Sequence, residues 1–250
     1  MRNLTLLFII VIYTSTILLA QEDEKKQNRY EDPFEVPGNV IVDLGFNFLS
    51  DDGGVETGFW GSKSVGIYYM YEKTWKDSHF SINPGIGVSL EKYDFRDDFT
   101  LAESIDEDGF EFTEFVALDS AFQAGTLGST EIRKSKLAAE YIEIPLEFRY
   151  YQNKKNHDRG LRVAIGIKGG FLFTSRTKIK YEALDGDNVI LKEKNDFHLN
   201  GLRWSAFGRI GLGGLNLFYE QGLSNIFESG QGPLATDARY FKVGISFIGF

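Results

Sequence analysis

Apolar and polar side chains alternate in the segment Leu137-Ala-Ala-Glu-Tyr-Ile-Glu-Ile-Pro-Leu-Glu-Phe-Arg-Tyr-Tyr151. From Ile142 to Tyr150 every even position is apolar or aromatic, whereas the odd positions include Glu143, Glu147 and Arg149. Successive side chains of a β-strand point to opposite faces, whereas those of a helix repeat about every 3.6 residues. The alternation therefore predicts a strand with one apolar face and one polar face.

The same period of two recurs in seven further segments. They are Asn39–Leu49, Ser64–Glu72, Phe80–Tyr93, Leu161–Tyr181, Asn200–Leu212, Leu215–Leu223 and Tyr240–Phe250. Their apolar faces are large and aromatic, and the opposite faces combine Gly and Ser with interspersed Arg, Lys and Glu. Such a pattern is typical of a membrane barrel with a narrow polar lumen. We predict an all-β fold, an eight-stranded antiparallel transmembrane β-barrel. A soluble sandwich or barrel stays open, because alternation does not say which face is outside.

The connections between these segments alternate between long and short. The long connections are Ser50–Lys63, Asp94–Lys136, Glu182–His198 and Ser224–Arg239, and the short ones are Lys73–His79, Gln152–Gly160 and Gly213–Gly214. Outer-membrane barrels combine long external loops with short periplasmic turns. The alternation therefore predicts that the four long connections are external loops and that the short ones are periplasmic turns.

The first twenty residues contain a single charge, Arg2, followed by an apolar run that ends at Ala20. A basic start, a short apolar stretch and a small final residue are typical of a cleaved secretory signal peptide. We divide the chain into a signal peptide (1–20), a flexible lead-in (21–38) and a barrel domain (39–250) in the outer membrane. An uncleaved anchor helix is the alternative, although the run is short for a membrane span of about 20 residues.

The composition excludes several classes of protein. The chain contains no cysteine, which excludes disulfides, thiol catalysis and Cys-ligated zinc. The formal net charge of −9 argues against a nucleic-acid partner, because phosphate backbones bind clustered Lys and Arg. The acidity is local, since Asp94–Glu131 holds eleven acidic residues and one basic residue, Arg96. The predicted barrel strands therefore contribute little to the net charge.

These features together resemble the small outer-membrane β-barrel family often called PorT-like, which is common in Bacteroidota. The resemblance is carried by the signal peptide ending Leu18-Leu-Ala-Gln21, the core Tyr141-Ile-Glu-Ile-Pro-Leu146, the glycine-rich strands and the terminal Phe250, and it covers residues 39–250. It implies insertion by the barrel-assembly machinery, which recognises a C-terminal strand ending in an aromatic residue, and contact with outer-membrane lipid. It also implies an alternative function, as an accessory component of a protein-secretion and gliding apparatus.

Charged side chains occur on the predicted inward face of most strands. The eleven candidates are Asp43, Glu91, Glu143, Glu147, Arg149, Arg162, Lys168, Arg203, Arg209, Glu220 and Lys242. Side chains fill the interior of an eight-stranded barrel, so open-pore transport is not expected. Buried charges must be paired or hydrated, because isolated ones cost several kcal/mol. We predict a salt-bridged network that stiffens the barrel, and a proton or ion path is the alternative.

Two predicted loops carry acids that partly match a calcium-binding loop. These weak candidates are Asp106, Asp108, Asp185 and Asp187. The EF-hand pattern needs an acid two residues before the central acidic run and a Glu at its end. The first loop has Ser104 and Phe115 at those positions, so the match fails at both ends. We expect solvated loops with no resident metal and no cofactor, and weak divalent-cation binding is the alternative.

The acidic segment is also rich in aromatic residues, which disordered chains seldom contain. We expect partial order there, with Phe110, Phe112 and Phe115 forming a recognition surface for a protein partner at the external loops. The predicted function is that of a non-enzymatic integral outer-membrane protein, with a structural or surface-interaction role through its acidic external loop.

A lipid-modifying outer-membrane enzyme is a further alternative, because some barrels act on lipids with a His, Ser and acid arrangement. Of the three histidines, His79 and His157 fall at predicted periplasmic turns, and only His198 lies near the predicted outer rim. Asp196 and Ser205 are close to it in sequence, but no nucleophile motif surrounds them. No catalytic residue is therefore predicted.

Overall fold

The structure of the protein is a computed structural model. It describes residues 38–50, 57–75, 78–96, 99–118, 129–154, 160–183, 185–233 and 238–249. The predicted signal peptide, almost all of the lead-in and Phe250 lie outside the described residues. No helix within the described ranges is long and apolar enough to cross a membrane.

The described residues form twelve strands, eight of which close into a ring. The strands are β1 (Asn39–Ser50), β2 (Lys63–Met70), β3 (Lys73–Thr74), β4 (Phe80–Phe95), β5 (Phe99–Ile105), β6 (Glu111–Ala117), β7 (Ser129–Tyr151), β8 (Leu161–Ala183), β9 (Asn188–Glu193), β10 (Leu202–Leu212), β11 (Leu215–Gly222) and β12 (Arg239–Ile248). Antiparallel pairing runs in the order β1-β2-β4-β7-β8-β10-β11-β12. The ring closes where β12 pairs with β1, from Ile41 opposite Ile248 to Ser50 opposite Arg239.

The ring strands correspond to the eight segments predicted from the alternation, and the prediction of an all-β antiparallel fold is confirmed. Four strands were not predicted. β3 extends the pairing of β4, and β9 pairs with the far end of β8. β5 and β6 form a separate two-stranded hairpin within the acidic segment, which was predicted to be a partly ordered loop.

The exposure of the β7 side chains shows which face of the ring points outward. Ile144 and Phe148 are 51% and 42% exposed, whereas Glu143, Glu147 and Arg149 are fully buried. The other ring strands likewise place aliphatic and aromatic side chains outside and most of their charged side chains inside. A soluble sandwich would bury its apolar face instead. A continuous apolar outer surface suits lipid, because it is unfavourable in water.

A β-bulge in β8 reverses the alternation partway along the strand. Tyr141 on β7 pairs with Leu172, but the preceding residue, Glu140, pairs with Thr174, so that Phe173 is an extra residue. One extra residue shifts every following side chain to the other face. Odd positions of β8 point outward before Phe173 and inward beyond it, while even positions beyond it point outward.

Aromatic side chains gather near both rims of the apolar outer surface. At the end with the short connections, Phe80 stacks on Phe148 with ring centroids 5.3 Å apart. At the end with the long connections, Phe46 stacks on Phe59 at 4.5 Å, and Trp60 packs edge-on against both rings. Aromatic girdles at the two interfaces are characteristic of membrane barrels.

At the end with the long connections, the interior changes from charged to apolar. The buried cluster there consists of Tyr93, Phe95, Leu101, Leu137, Ala139, Tyr141, Phe197, Leu199, Ile226, Phe227 and Tyr240. Some of these residues belong to ring strands, and the others belong to β5 and to the connections that follow β9 and β11. The connections therefore pack into this end of the ring and share a core with it.

Candidate functional site

The structure places all eleven predicted inward charges in the ring interior. Each is at most 5% exposed: Asp43, Glu91, Glu143, Glu147, Arg149, Arg162, Lys168, Arg203, Arg209, Glu220 and Lys242. Such burial is tolerable only if each charge has partners of opposite sign, because the desolvation of an unpaired ion costs several kcal/mol. The partners fall into two groups along the interior.

Six of these side chains form a closed ring of alternating charges, which we call the charge hexad. Its members are Glu91 on β4, Glu143 on β7, Lys168 on β8, Arg203 on β10, Glu220 on β11 and Lys242 on β12. Arg203 pairs with both Glu91 and Glu143, in the latter case at 2.6 Å. Lys168 Nζ lies 3.3 Å from Glu143 and 2.9 Å from Glu220. Lys242 joins Glu220 to Glu91 and so completes the circuit.

The charge hexad is neutral, since it contains three cations and three carboxylates. Every member has two neighbours of opposite charge, and six ring strands that follow one another around the circumference each contribute one member. In a low-dielectric interior such mutual pairing offsets the cost of removing each ion from water. The circuit therefore ties six strands together across the middle of the ring.

Tyrosine hydroxyls complete the bonding of the hexad carboxylates. The donor–acceptor pairs are Tyr68–Glu143 at 2.6 Å, Tyr93–Glu91 at 2.9 Å and Tyr240–Glu220 at 3.1 Å. The guanidinium of Arg203 lies over the ring of Tyr141, 3.4 Å from its centroid. These tyrosines are not among the predicted site residues. Tyr141 and Tyr93 nevertheless occupy odd-numbered positions, as do the inward-facing charged residues of their strands. The alternation of side chains alone could have identified these two.

A second group of charges lies nearer the short connections and forms an open chain. The order of pairing is Asp43, Arg209, Glu147, Arg149 and Glu72. Arg209 lies 2.7 Å from Asp43, and Ser246 Oγ donates a 2.6 Å hydrogen bond to the same carboxylate. At the other end, Arg149 lies 3.6 Å from Glu72. This row of paired charges therefore runs from the inner side of β1 to the residue that lies just after β2.

Glu72 is the interior carboxylate that was not predicted. Tyr151 donates a 2.8 Å hydrogen bond to it, and the guanidinium of Arg162 lies 5.3 Å from the centroid of the Tyr151 ring. Glu72 follows β2 and has an even number, like the buried Ser64. The alternation along β2 could therefore have identified Glu72 as an inward-facing residue. When Glu72 is included, six acidic residues balance six basic residues, so this set of interior side chains carries no net charge.

Above the hexad, three of the long connections hold one another together; we call this assembly the cap (residues 99–118, 194–201 and 224–233). The N–H of Thr113 donates to the carbonyl of Gln231 at 2.8 Å, and Thr113 Oγ1 lies 2.9 Å from His198 Nδ1. The N–H of Glu228 donates to the carbonyl of His198 at 2.8 Å. His198 therefore contacts both of the other connections from its place in the cap.

Residues 21–228 match the family described as outer membrane protein beta-barrel domain. This chain belongs to that family. The family places the protein in the outer membrane, and the outward apolar face and the inward charges described above agree with that location. No curated protein matches the chain.

Two solved structures illustrate what the barrel protein is similar to. Neisserial surface protein A shares 10% identity and a TM-score of 0.38, over 85% of this chain and 96% of that one. The monoaromatic hydrocarbon channel CymD shares 10% identity and a TM-score of 0.27, over 83% of this chain and 65% of that one.

Within the cap, acidic side chains are concentrated at the tip of the β5–β6 hairpin. Every residue from Ile105 to Glu111 at its tip is exposed, including Asp106, Glu107 and Asp108. Two apolar side chains accompany these acids, since Ile105 is 67% exposed and Phe110 is 48% exposed. The tip is therefore an acidic surface with an apolar centre.

The three phenylalanines predicted for a recognition surface occupy different environments. Phe110 is exposed at the tip, and Phe112 is half-buried. Phe115 packs edge-on against Phe95, with centroids 5.4 Å apart, and lies against the apolar cluster of the ring. Phe115 therefore also anchors the hairpin on the ring core, and its part in a recognition surface stays a prediction.

The four acids considered for calcium lie in two separate turns. Asp106 Oδ1 accepts hydrogen bonds from the N–H groups of Asp108 and Phe110, at 2.9 and 2.8 Å. Asp185 Oδ1 accepts one from the N–H of Asp187 at 3.1 Å. These bonds close the β5–β6 and β8–β9 turns. Within the described ranges, no group of three or more His, Asp or Glu side chains is arranged to hold a metal ion.

The side chains considered for catalysis have different surroundings in the barrel protein. The ring of His198 contacts Thr113, and the Asp196 carboxylate accepts a hydrogen bond from the N–H of His198 at 3.2 Å. Ser205 is 2% exposed on the inner face of β10, directly opposite Lys168 of the hexad. His79 Nδ1 lies 2.7 Å from the carbonyl of Tyr151, at the opposite end of the ring, and His157 lies outside the described residues.

Proposed function

We propose that this protein is a non-enzymatic barrel of eight transmembrane strands, with its long connections outside the cell and its short ones in the periplasm. Its role is structural and interactive: the barrel anchors a rigid cap, and the acidic hairpin on that cap contacts a partner. The observation that carries the proposal is the hydrogen bonding of Thr113 to both His198 and Gln231, which fixes the hairpin to two other connections.

The filled interior supports an anchoring role over transport. The charge hexad spans the middle of the ring, and the apolar cluster occupies the end beneath the cap. Solute passage would require these paired charges to separate, and each separation leaves a buried ion without its partner. A proton or ion path through the same residues meets the same cost.

The chemistry of the hairpin tip favours a cationic partner. Four acids at the tip (Asp106, Glu107, Asp108 and Glu111) provide long-range attraction, which speeds association with a basic surface. Phe110 and Ile105 add the exposed apolar area that interface centres need. We therefore expect a partner protein with a basic patch around an apolar pocket.

The orientation can be tested by labelling single cysteines, because the chain contains none. In intact cells, Glu107→Cys at the hairpin tip is expected to react with a membrane-impermeant maleimide. The matched control is Lys154→Cys, an exposed residue after β7 at the other end of the ring. It is expected to react only after the outer membrane is permeabilised. The opposite pattern would contradict the proposed orientation.

The interaction can be tested by placing a photo-crosslinking amino acid at Phe110. The control position is Phe148, which lies on the apolar outer surface of the ring, called the apolar belt below. We expect a protein adduct at Phe110 in intact cells and none at Phe148. The adduct should weaken when Glu107→Gln, Asp108→Asn and Glu111→Gln are combined, because attraction to a basic partner is lost. An adduct that is absent, or that is insensitive to this neutralisation, contradicts the proposed role of the acids.

Two alternatives are distinguished by separate experiments. The PorT-like resemblance implies an accessory role in secretion, yet Tyr141 and Glu143 of its core motif contact Arg203, so packing of the interior accounts for them. Loss of cargo secretion in a deletion strain, restored by the wild-type chain, would favour that role. A change in outer-membrane lipid composition after His198→Ala would favour a lipid-modifying enzyme.

A further inference from the structure

A dense group of cations lies on the outer face of the ring, just beyond the apolar belt. We call it the cation patch, and it lines one groove across β4, β7, β8 and β9: Lys92, Lys134, Lys136, Arg176, Lys178 and Lys192. The bulge at Phe173 is what turns Arg176 and Lys178 outward, since even positions of β8 point inward before it. The position of the bulge therefore creates the patch.

Lysines in the cation patch face each other directly across strands. Lys136 pairs in register with Lys178, and Lys178 pairs in register with Lys192, which makes an uninterrupted row of three like charges. Side chains opposite each other in a sheet are about 5 Å apart at Cβ, and like charges so placed are destabilising. Such a row is stable when an anion with several charges lies across it.

The acids near the cation patch compensate only part of its charge. Asp94 pairs with Lys136 at 3.1 Å, and Glu140 pairs with Arg176 at 3.1 Å. Within the described residues, no carboxylate is paired with the other four members, Lys92, Lys134, Lys178 and Lys192. Glu193, adjacent in sequence, pairs in register with the buried Thr177 and so lies on the other face of β9. The patch therefore keeps an excess of four positive charges.

An apolar groove adjoins the cation patch and is formed by β2, β4, β7 and β8. It is lined chiefly by Val65, Ile67, Val88, Leu90, Ile142 and Phe173. Glu140 lies where the two grooves adjoin, because it lines the apolar groove and its carboxylate pairs with Arg176 of the cation patch at 3.1 Å. A molecule that spans both grooves must be anionic at one end and apolar at the other.

We propose that the cation patch and the apolar groove together bind one phosphorylated lipid of the outer leaflet. Its phosphate groups would lie across the row Lys136–Lys178–Lys192, and an acyl chain would lie in the apolar groove against Ile142 and Val88. Phosphate binds clustered Lys and Arg through charge-assisted hydrogen bonds, and basic residues near a membrane surface attract anionic lipid. The inference rests on the proposed orientation, which places this rim in the outer leaflet.

The test uses the full-length protein folded in non-ionic detergent and measures its affinity for lipid A that carries two phosphate groups. The variant is Lys178→Gln with Lys192→Gln, and the matched control is Lys73→Gln with Lys154→Gln, two exposed lysines at the other end of the ring. We expect the affinity of the patch variant to fall roughly tenfold or more, and that of the control to stay unchanged. Phosphatidylcholine is expected to bind both variants equally weakly.

Three outcomes would overturn the inference. Equal affinity of the wild type and the patch variant for lipid A would show that the row does not bind phosphate. Equal binding of lipid A and phosphatidylcholine would show that only the apolar groove contributes to lipid binding. Full competition by inorganic phosphate would indicate a site for free anions, with no contribution from the acyl chain. Heat-modifiable gel mobility and membrane fractionation of each variant separate these outcomes from a failure of the proposed membrane insertion itself.

Discussion

The ring interior and the cation patch contain the same types of residue in opposite arrangements. In the interior every cation of the hexad has two carboxylate neighbours, with Lys168 at 2.9 and 3.3 Å from its partners. On the outer rim, Lys178 has a lysine on each side in register. Burial enforces pairing, because an unpaired buried ion is too costly, whereas an exposed rim can keep unpaired cations for a ligand.

The largest expected effect comes from removing Arg203, which pairs with both Glu91 and Glu143. Arg203→Met leaves two buried carboxylates short of a cation and is expected to lower the free energy of unfolding by about 3–5 kcal/mol. Urea unfolding curves, monitored by the gel mobility of the folded and unfolded protein, measure the loss of unfolding free energy. Arg203→Lys, which keeps the charge, serves as the control and should lose less. An unchanged midpoint for Arg203→Met would show that the hexad contributes nothing to stability.

A double-mutant cycle measures the coupling energy of one ion pair within the hexad. Lys168→Met and Glu220→Gln each break a 2.9 Å ion pair and each leave a buried partner behind. Because the two changes remove a shared interaction, the double variant should be more stable than the sum of the single losses by about 1–3 kcal/mol. The same urea titrations give all four free energies. Simple additivity would mean that the two residues do not interact energetically.

A smaller effect is expected for Glu72, which ends the open chain of charges. Its side chain is 18% exposed and lies 3.6 Å from Arg149, so water already solvates part of the carboxylate. Glu72→Gln is expected to cost about 1 kcal/mol of unfolding free energy, less than any hexad substitution. Glu103→Gln, on the exposed face of the hairpin, is the control and should leave the midpoint unchanged. A loss as large as that of Arg203→Met would contradict this ranking.

The smallest effect is expected in the cation patch. Lys178→Gln removes a charge that faces two other lysines, so it should slightly raise the unfolding midpoint in lipid-free, non-ionic detergent at low salt. The increase should disappear at high salt, because exposed charges are screened. Lys73→Gln should show no such salt dependence. A lower midpoint for Lys178→Gln in the absence of lipid would indicate that the row makes stabilising contacts within the protein.

The alternation of side chains predicted the ring strands and the inward position of the eleven charges, because period two is a local property of the chain. It did not predict the bulge at Phe173, since a bulge arises from the register between β7 and β8 and leaves no local pattern. The outward position of Arg176 and Lys178, and with it the cation patch, was therefore beyond sequence reasoning.

The hairpin of β5 and β6 was missed for a related reason. Its sequence is acidic and only weakly alternating, and its structure depends on contacts with distant residues. Thr113 bonds to Gln231, and Phe115 packs on Phe95 of the ring. The pairing of interior charges is likewise a property of the closed ring. The sequence predicted which charges lie inside, while only the three-dimensional arrangement determined which of them meet.

The closed circuit of the hexad has a consequence for the order in which the protein assembles. Its six members come from six strands, and the last of them, Lys242, lies on β12 near the C-terminus. Until that strand docks, Glu91 and Glu220 each lack one of their two cations, and a partly assembled ring remains poorly stabilised. The last two ion pairs of the circuit form only when β12 pairs in the correct register. The hexad therefore stabilises the correctly closed ring over rings closed in a shifted register.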